Sequence, residues 1–161
     1  MKETAEKGGD PLRNRTLGNI LRTSRCFRLY CRRALGDTEL KPAQQLMLSH
    51  ICRRPGMAQE ELSAALILDK TTVAHQLVKL EALGYLTRSP APEDGRCRHI
   101  YPTEKGEEVY PRIREAFARF SEGLLRGLRP EEQEALERLS EKLLSNARAL
   151  TEGSSAGGDA L

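Results

Sequence analysis

The sequence predicts a mainly α-helical fold carrying one small β-hairpin, on three observations. Apolar residues recur at helical spacing over most of residues 11–149. A single turn-rich stretch, residues 89–96, lies between two short β-type segments. Short helices precede that hairpin, and long ones flank the whole arrangement. The 161 residues suit one domain or a subunit of a small oligomer. Trp is absent and aromatics make up only 4%, so Leu, Ile, Val and Ala must fill the core.

Residues 1–11 are polar, contain Gly8-Gly9 and read as a flexible tail. A helix follows over 12–36, with Leu17, Ile20, Leu21, Phe27 and Leu35 on its apolar side. Arg22, Arg25, Arg28, Arg32 and Arg33 form its polar side, and Gly36-Asp37 ends it. Pro42 opens a second helix as its first residue; Leu46, Leu48 and Ile51 are apolar, and Pro55-Gly56 stops it. A short third helix runs from about Ala58 to Leu66, using Leu62, Ala65 and Leu66. Asp69 is a good N-cap for a fourth over 70–83, in which Val73, Leu77, Leu80 and Leu83 share one face and Gly84 supplies the stop.

The two β-type segments are 85–88 and 97–101, with Asp94-Gly95 near the tip between them. Thr103 then caps a long helix reaching about residue 126, striped by Val109, Ile113, Phe117, Phe120 and Leu124. Pro111 inside it removes a backbone donor and should bend it. Gly127-Leu128-Arg129-Pro130 breaks the run, and a last helix over 131–149 carries Leu136, Leu139, Leu143 and Leu144. Residues 151–161 are a second tail, too polar and small-residue-rich to order.

Composition excludes several classes of function. Charged residues are 30%, and no uncharged apolar run approaches the ~20 residues of a membrane span. The first nine residues lack the apolar centre of a signal peptide, so a cytoplasmic protein is expected, and Cys26, Cys31, Cys52 and Cys97 then argue against a disulfide framework. No Cys-x-x-Cys, Gly-x-Gly-x-x-Gly, Walker loop or His-Glu-x-x-His occurs, so no cofactor or metal is expected. No nucleophile–base or paired-carboxylate constellation stands out, which speaks against an enzyme. The formal net charge of +3 hides a gradient: residues 1–36 hold nine Lys and Arg against three carboxylates, whereas 107–161 hold eight against eleven.

Three short helices followed by a hairpin form the outline of a winged helix-turn-helix, and the fourth helix is then the one that fits a DNA major groove. Its outer face offers Lys70, Thr71, Thr72, His75, Gln76 and Lys79, with no carboxylate until Glu81; ordinary exposed faces usually mix in Asp or Glu. Thr71 and Thr72 near the helix start suit phosphate or a thymine methyl, and His75 and Gln76 can reach base edges. Around the hairpin tip cluster Arg88, Arg96 and Arg98. An arginine there can enter a narrow minor groove, and Asp94 stands two residues before Arg96, where it can hold the guanidinium.

The flanking helices are longer and more apolar than the small winged unit needs. A 24-residue helix spans about 36 Å, and its stripe must be buried. Packing the first, fifth and sixth helices against a second copy buries it, and the two-fold dimer then meets a pseudo-palindromic duplex. The expected organisation is tail 1–11, first dimerisation helix 12–36, winged unit 37–102, C-terminal dimerisation helices 103–150 and tail 151–161.

The chain resembles the MarR (multiple antibiotic resistance regulator) family of bacterial transcription factors over about residues 17–150. The resemblance rests on Leu68-Asp69-Lys70-Thr71-Thr72-Val73, then Lys79-Leu80-Glu81-Ala82-Leu83-Gly84-Tyr85-Leu86. It continues through Asp94-Gly95-Arg96, Thr103-Glu104-Lys105-Gly106 and Leu128-Arg129-Pro130-Glu131-Glu132. It implies a homodimeric DNA-binding repressor, often one released by a small aromatic or phenolic compound. By that likeness Arg96 enters the minor groove, Asp94 orients it, and Thr71, Thr72, His75 and Gln76 face the major groove. Lys41, Ala58 and Arg129 depart from it by replacing the usual Ser or Thr caps, each a loss of about 1 kcal/mol. Pro102 also departs, replacing an apolar residue at the end of the second wing strand.

Several switches stay open. A small-molecule site at the junction of the first, second and fifth helices would draw on Phe27, Tyr30, Met47, His50 and Ile113. Cys26-Phe27-Arg28-Leu29-Tyr30 resembles the reactive-cysteine string of the family's organic-hydroperoxide sensors, so Cys26 is a redox candidate, although counting back from Pro42 places Thr16 where those sensors have their cysteine. Metal sensing by His50, Cys26, Cys31 and Cys52 is disfavoured because His50 and Cys52, two apart on a helix, do not share a face. In a different class altogether, the winged helix serves only protein contacts and binds no DNA.

Overall fold

The computed structural model describes residues 15–90 and 98–153. In chain order the elements are α1 (Arg15–Ala34), α2 (Pro42–Arg53), β1 (Met57–Ala58), α3 (Gln59–Leu66), α4 (Lys70–Ala82), β2 (Leu86–Pro90), β3 (Arg98–Pro102), α5 (Glu104–Leu125) and α6 (Pro130–Gly153). The chain forms two compact units that divide between Phe120 and Ser121. The first holds the winged unit together with α1 and most of α5; the second holds the end of α5 and α6.

Local chemistry explains most boundaries in the first unit. After α1 the chain turns at Gly36, where a Cβ would stand 2.8 Å from the Arg32 carbonyl oxygen. Thr38 closes the corner by donating through its hydroxyl to the Leu35 carbonyl at 2.7 Å. Pro42 is the first residue of α2, where its missing N–H is no loss. The non-standard caps retain half of a capping box. Gln44 Oε1 accepts the Lys41 N–H at 2.9 Å and Glu61 Oε2 accepts the Ala58 N–H at 2.8 Å. In the second unit Glu132 Oε2 does the same for Arg129 at 2.8 Å. Only the returning bond survives at each, because neither Lys, Ala nor Arg has a side-chain acceptor for the N3 amide.

The small sheet differs from the expected two-stranded hairpin. It has three antiparallel strands in the order β1-β3-β2, with Met57 opposite Ile100 and Ala58 opposite His99. Ala58 is therefore strand and N-cap, and α3 begins one residue later than expected. A two-residue strand is too short to leave an alternating pattern. The hairpin itself sits further along, with Leu86 opposite Pro102 and Pro90 opposite Arg98. Both prolines occupy strand ends, where a missing donor disturbs the ladder least. α5 runs unbroken through Pro111.

The core lies where these elements meet. Leu48, Ile51, Leu62, Val73, Leu77, Leu80, Ile100 and Ile113 have no exposed surface, and Met47 and Leu86 almost none. Other apolar side chains remain about half-exposed. In the first unit, Leu17, Ile20, Leu21 and Leu29 of α1 are 39–51% exposed; in the second, Leu136, Leu139, Leu143 and Leu144 of α6 are 43–49% exposed. No described helix is long and apolar enough to cross a membrane.

The turn between α3 and α4 is strained. Ile67 closes α3 in the left-handed conformation, φ 52°, which a β-branched side chain adopts only against steric resistance. Asn tolerates that conformation, so Ile67→Asn should stabilise the fold by about 1 kcal/mol. Urea unfolding checks this, and an unchanged or lower midpoint would mean that the half-exposed Ile67 side chain contributes more by packing than the strain removes.

Candidate nucleic-acid interface

The fourth helix is held at both ends. At its start Asp69 Oδ1 accepts the Thr72 amide at 2.7 Å, and its Oδ2 accepts the Thr72 hydroxyl at 2.6 Å. These bonds, the hydroxyl's first, hold the Asp69 carboxyl below its usual range. At its end Lys105 Nζ donates to the Leu83 carbonyl at 2.8 Å and lies 4.3 Å from the centre of the Tyr85 ring. The Thr103 hydroxyl donates to the Gly84 carbonyl at 2.6 Å, and the Thr103 amide donates to Tyr85 O at 3.1 Å. The start of α5 is thereby fastened to the corner that ends α4.

Burial separates the two faces of α4. Val73, Leu77 and Leu80 are buried, while Lys70, Thr71, His75 and Lys79 are exposed and Thr72 and Gln76 half-buried. All six polar residues expected to face outward therefore keep exposed surface. Two have partners already: Thr72 is bound to Asp69, and Lys70 Nζ lies 3.7 Å from Glu60 in an exposed pair. Val78, absent from the expected contact residues, is 52% exposed on the same side of the helix.

Arg88 is placed differently from a free wing arginine. Its Nε donates to Glu81 Oε2 at 3.0 Å, its Nη2 makes a second bond to the same oxygen, and its side chain is only 16% exposed. Arg88 thus neutralises the one carboxylate near the end of the α4 face and ties β2 to α4. Asp94 and Arg96 lie outside the described residues. So does the side chain of Arg98, whose backbone pairs with Pro90.

The residues expected to hold a small molecule separate into two groups. Phe27 packs edge-on against Phe117 and Phe120, with centroids 5.1 and 5.2 Å apart, and Tyr30 lies 5.4 Å from Phe120. Tyr30 also lines a cavity of about 110 Å³ with Ala34, Leu35, Arg112, Glu115 and Ala116. Met47 and Ile113, by contrast, are packed inside the core. His50 is half-buried, and burial first, then the Arg53 cation, lower its pKa and favour the neutral imidazole.

The thiols fall into two environments. Cys26 is exposed on α1, whereas burial pushes the Cys31 and Cys52 thiols up to about 11, helped at Cys52 by Glu107. Neither of these two is a thiolate near neutral pH. Among the described residues no group of three or more His, Cys, Asp or Glu could hold a metal ion.

With this geometry in view, the comparisons with known proteins agree. Residues 38–96 match the model of the MarR family. An uncharacterised HTH-type transcriptional regulator of Bacillus subtilis, YybA, is 34% identical over 110 residues, 68% of this chain and 73% of that protein. A MarR protein from Peptoclostridium difficile has the same fold, with a TM-score of 0.80 and 28% identity over 90% of this chain and 95% of that one. A family regulator from Listeria monocytogenes, solved with a 26-mer DNA, superposes with a TM-score of 0.82 at 23% identity, covering 90% of this chain and 97% of its own.

Proposed function

The chain belongs to the MarR family of transcriptional regulators, and from that premise we propose that it is a cytoplasmic, homodimeric repressor that binds a pseudo-palindromic duplex and releases it when a small aromatic compound binds. The observation that carries DNA binding is the outer face of α4. It presents Lys70, Thr71, His75, Gln76 and Lys79 with no free carboxylate among them, and Arg88 covers Glu81 at its edge. That the Listeria protein of the same fold was solved with a 26-mer DNA supports a duplex as the partner.

Dimerisation rests on the apolar side chains that stay half-exposed on α1 and, separately, on α6. Exposed apolar stripes on helices favour a partner, and two-fold pairing would present two α4 helices about one turn of DNA apart, roughly 34 Å. The wing completes the proposal: Arg96, oriented by Asp94, enters the minor groove, and Arg98 adds positive charge nearby. For the effector, the aromatic faces of Phe27 and Tyr30 beside Phe117 and Phe120 suit a flat ring.

Arg96→Ala tests the wing. Its affinity for a bound duplex should fall at least about tenfold, and the slope of log affinity against log salt should become shallower by about one. Unchanged affinity and slope would remove Arg96 from the interface. If Lys79→Ala and Thr72→Ala also leave regulation intact, the winged unit serves protein contacts instead.

A further inference from the structure

Thr71, His75 and Val78 follow i, i+4, i+7 spacing and so form one row along the outer side of α4, with Lys79 beside it. Thr71 and His75 are polar, and Val78 is not. Its side chain belongs to no core cluster of its own fold and is 52% exposed. Nothing in the helix favours a valine there: a β-branched residue loses χ1 freedom against the preceding turn, and in the free protein its methyl groups face water. Around it on the helix lie Thr71, His75 and Lys79, with Ala74, Ala82 and Glu81, whose carboxylate Arg88 holds; that surface suits a polyanion rather than an apolar protein.

Resting on the reading that α4 enters the major groove, we propose that Val78 is a specificity-determining residue that packs against the C5-methyl group of a thymine in each half-site. Thymine alone among the four bases presents an apolar group in that groove, whereas the others show only donors and acceptors. A valine has no hydrogen-bonding atom. Placed over a cytosine amino group it would strip water and give no bond in return. Val78 therefore favours thymine twice, by apolar contact with the methyl and by disfavouring the polar edge of a competing base. The hydroxyl of Thr71 and the imidazole of His75 remain free to address the polar atoms of neighbouring pairs.

The test uses the full chain and a duplex it has enriched from a random pool. Each thymine of the half-site is replaced in turn by deoxyuridine, which differs by the methyl group alone. The wild-type chain should lose about fourfold in affinity per half-site at one thymine position, the worth of one apolar carbon removed from water. Val78→Ala, which removes two methyl groups, should bind the thymine duplex weaker by at least the same factor and show no further loss with deoxyuridine at that position. Thr71→Ser, which removes the only methyl of the first residue in the row, should keep the deoxyuridine penalty there. Because alanine is the better helix former, Val78→Ala should unfold at the same temperature or higher, which separates lost contact from lost fold. The proposal is overturned if Val78→Ala retains every deoxyuridine penalty, or if the wild-type chain, though sequence-selective, shows none. Absence of sequence-selective binding would overturn the groove reading and the methyl contact together.

Discussion

Thr71→Glu is expected to bind duplex DNA at least about a hundredfold more weakly than the parent chain while remaining as stable as the parent or slightly more so. Position 71 is the second residue of α4, fully on its outer side. A carboxylate in the first turn of a helix interacts favourably with the helix dipole, by roughly 0.3–1 kcal/mol. The nearby Asp69 carboxylate offsets part of that gain. On the proposed groove reading the same charge would meet phosphates, where a like-charge contact costs several kcal/mol. Stability and binding therefore move apart, which a merely structural role for Thr71 cannot produce. Fluorescence anisotropy at fixed salt, paired with a thermal melt, reads both. Equal affinity with a normal melt would remove α4 from the interface.

Gly106→Ala carries the largest expected effect on the fold. Gly106 is the third residue of α5, its amide bound to the Thr103 hydroxyl at 3.2 Å. A Cβ built there would lie 2.3 Å from the Tyr85 carbonyl oxygen. No side-chain rotation relieves that approach, since the obstacle is backbone, so α5 must withdraw from the corner at Gly84 and Tyr85. Withdrawal breaks the Thr103 bonds to Gly84 and Tyr85 and the Lys105 bond to Leu83, the contacts that fasten the end of α4. We expect a loss of at least about 3 kcal/mol, beyond the range of ordinary point substitutions. Urea unfolding measures it. A Gly106→Ala chain within 1 kcal/mol of the parent would show that the close approach of α5 to the corner is not needed.

The sequence revealed what is local and periodic. The fourth helix was legible because Asp69 marks its start and Val73, Leu77 and Leu80 repeat at helical spacing, and those three side chains are fully buried. Pro42 and Gly84 marked boundaries for equally local reasons. What depends on pairing between distant segments was not legible. The strand at Met57–Ala58 exists only because β3 passes beside it. Arg88 looked like a free wing arginine until the packing of β2 on α4 brought it to Glu81. Val78, by contrast, shares its helical row with Thr71 and His75, so its outward place was legible from spacing, and its 52% exposure agrees. The left-handed Ile67 is the reverse case, a position where glycine or asparagine is expected and the residue in place gives no sign of the turn.

The proposed repressor requires α4 to read a duplex as one of a symmetric pair. The most direct test is selection of bound duplexes from a random pool by the purified full chain, followed by affinity measurements across salt concentrations. The predicted result is enrichment of an inverted repeat with half-sites about one helical turn apart, bound far more tightly than unrelated DNA at the same salt. Failure to enrich any sequence, with weak binding that salt abolishes equally for every duplex, would contradict it.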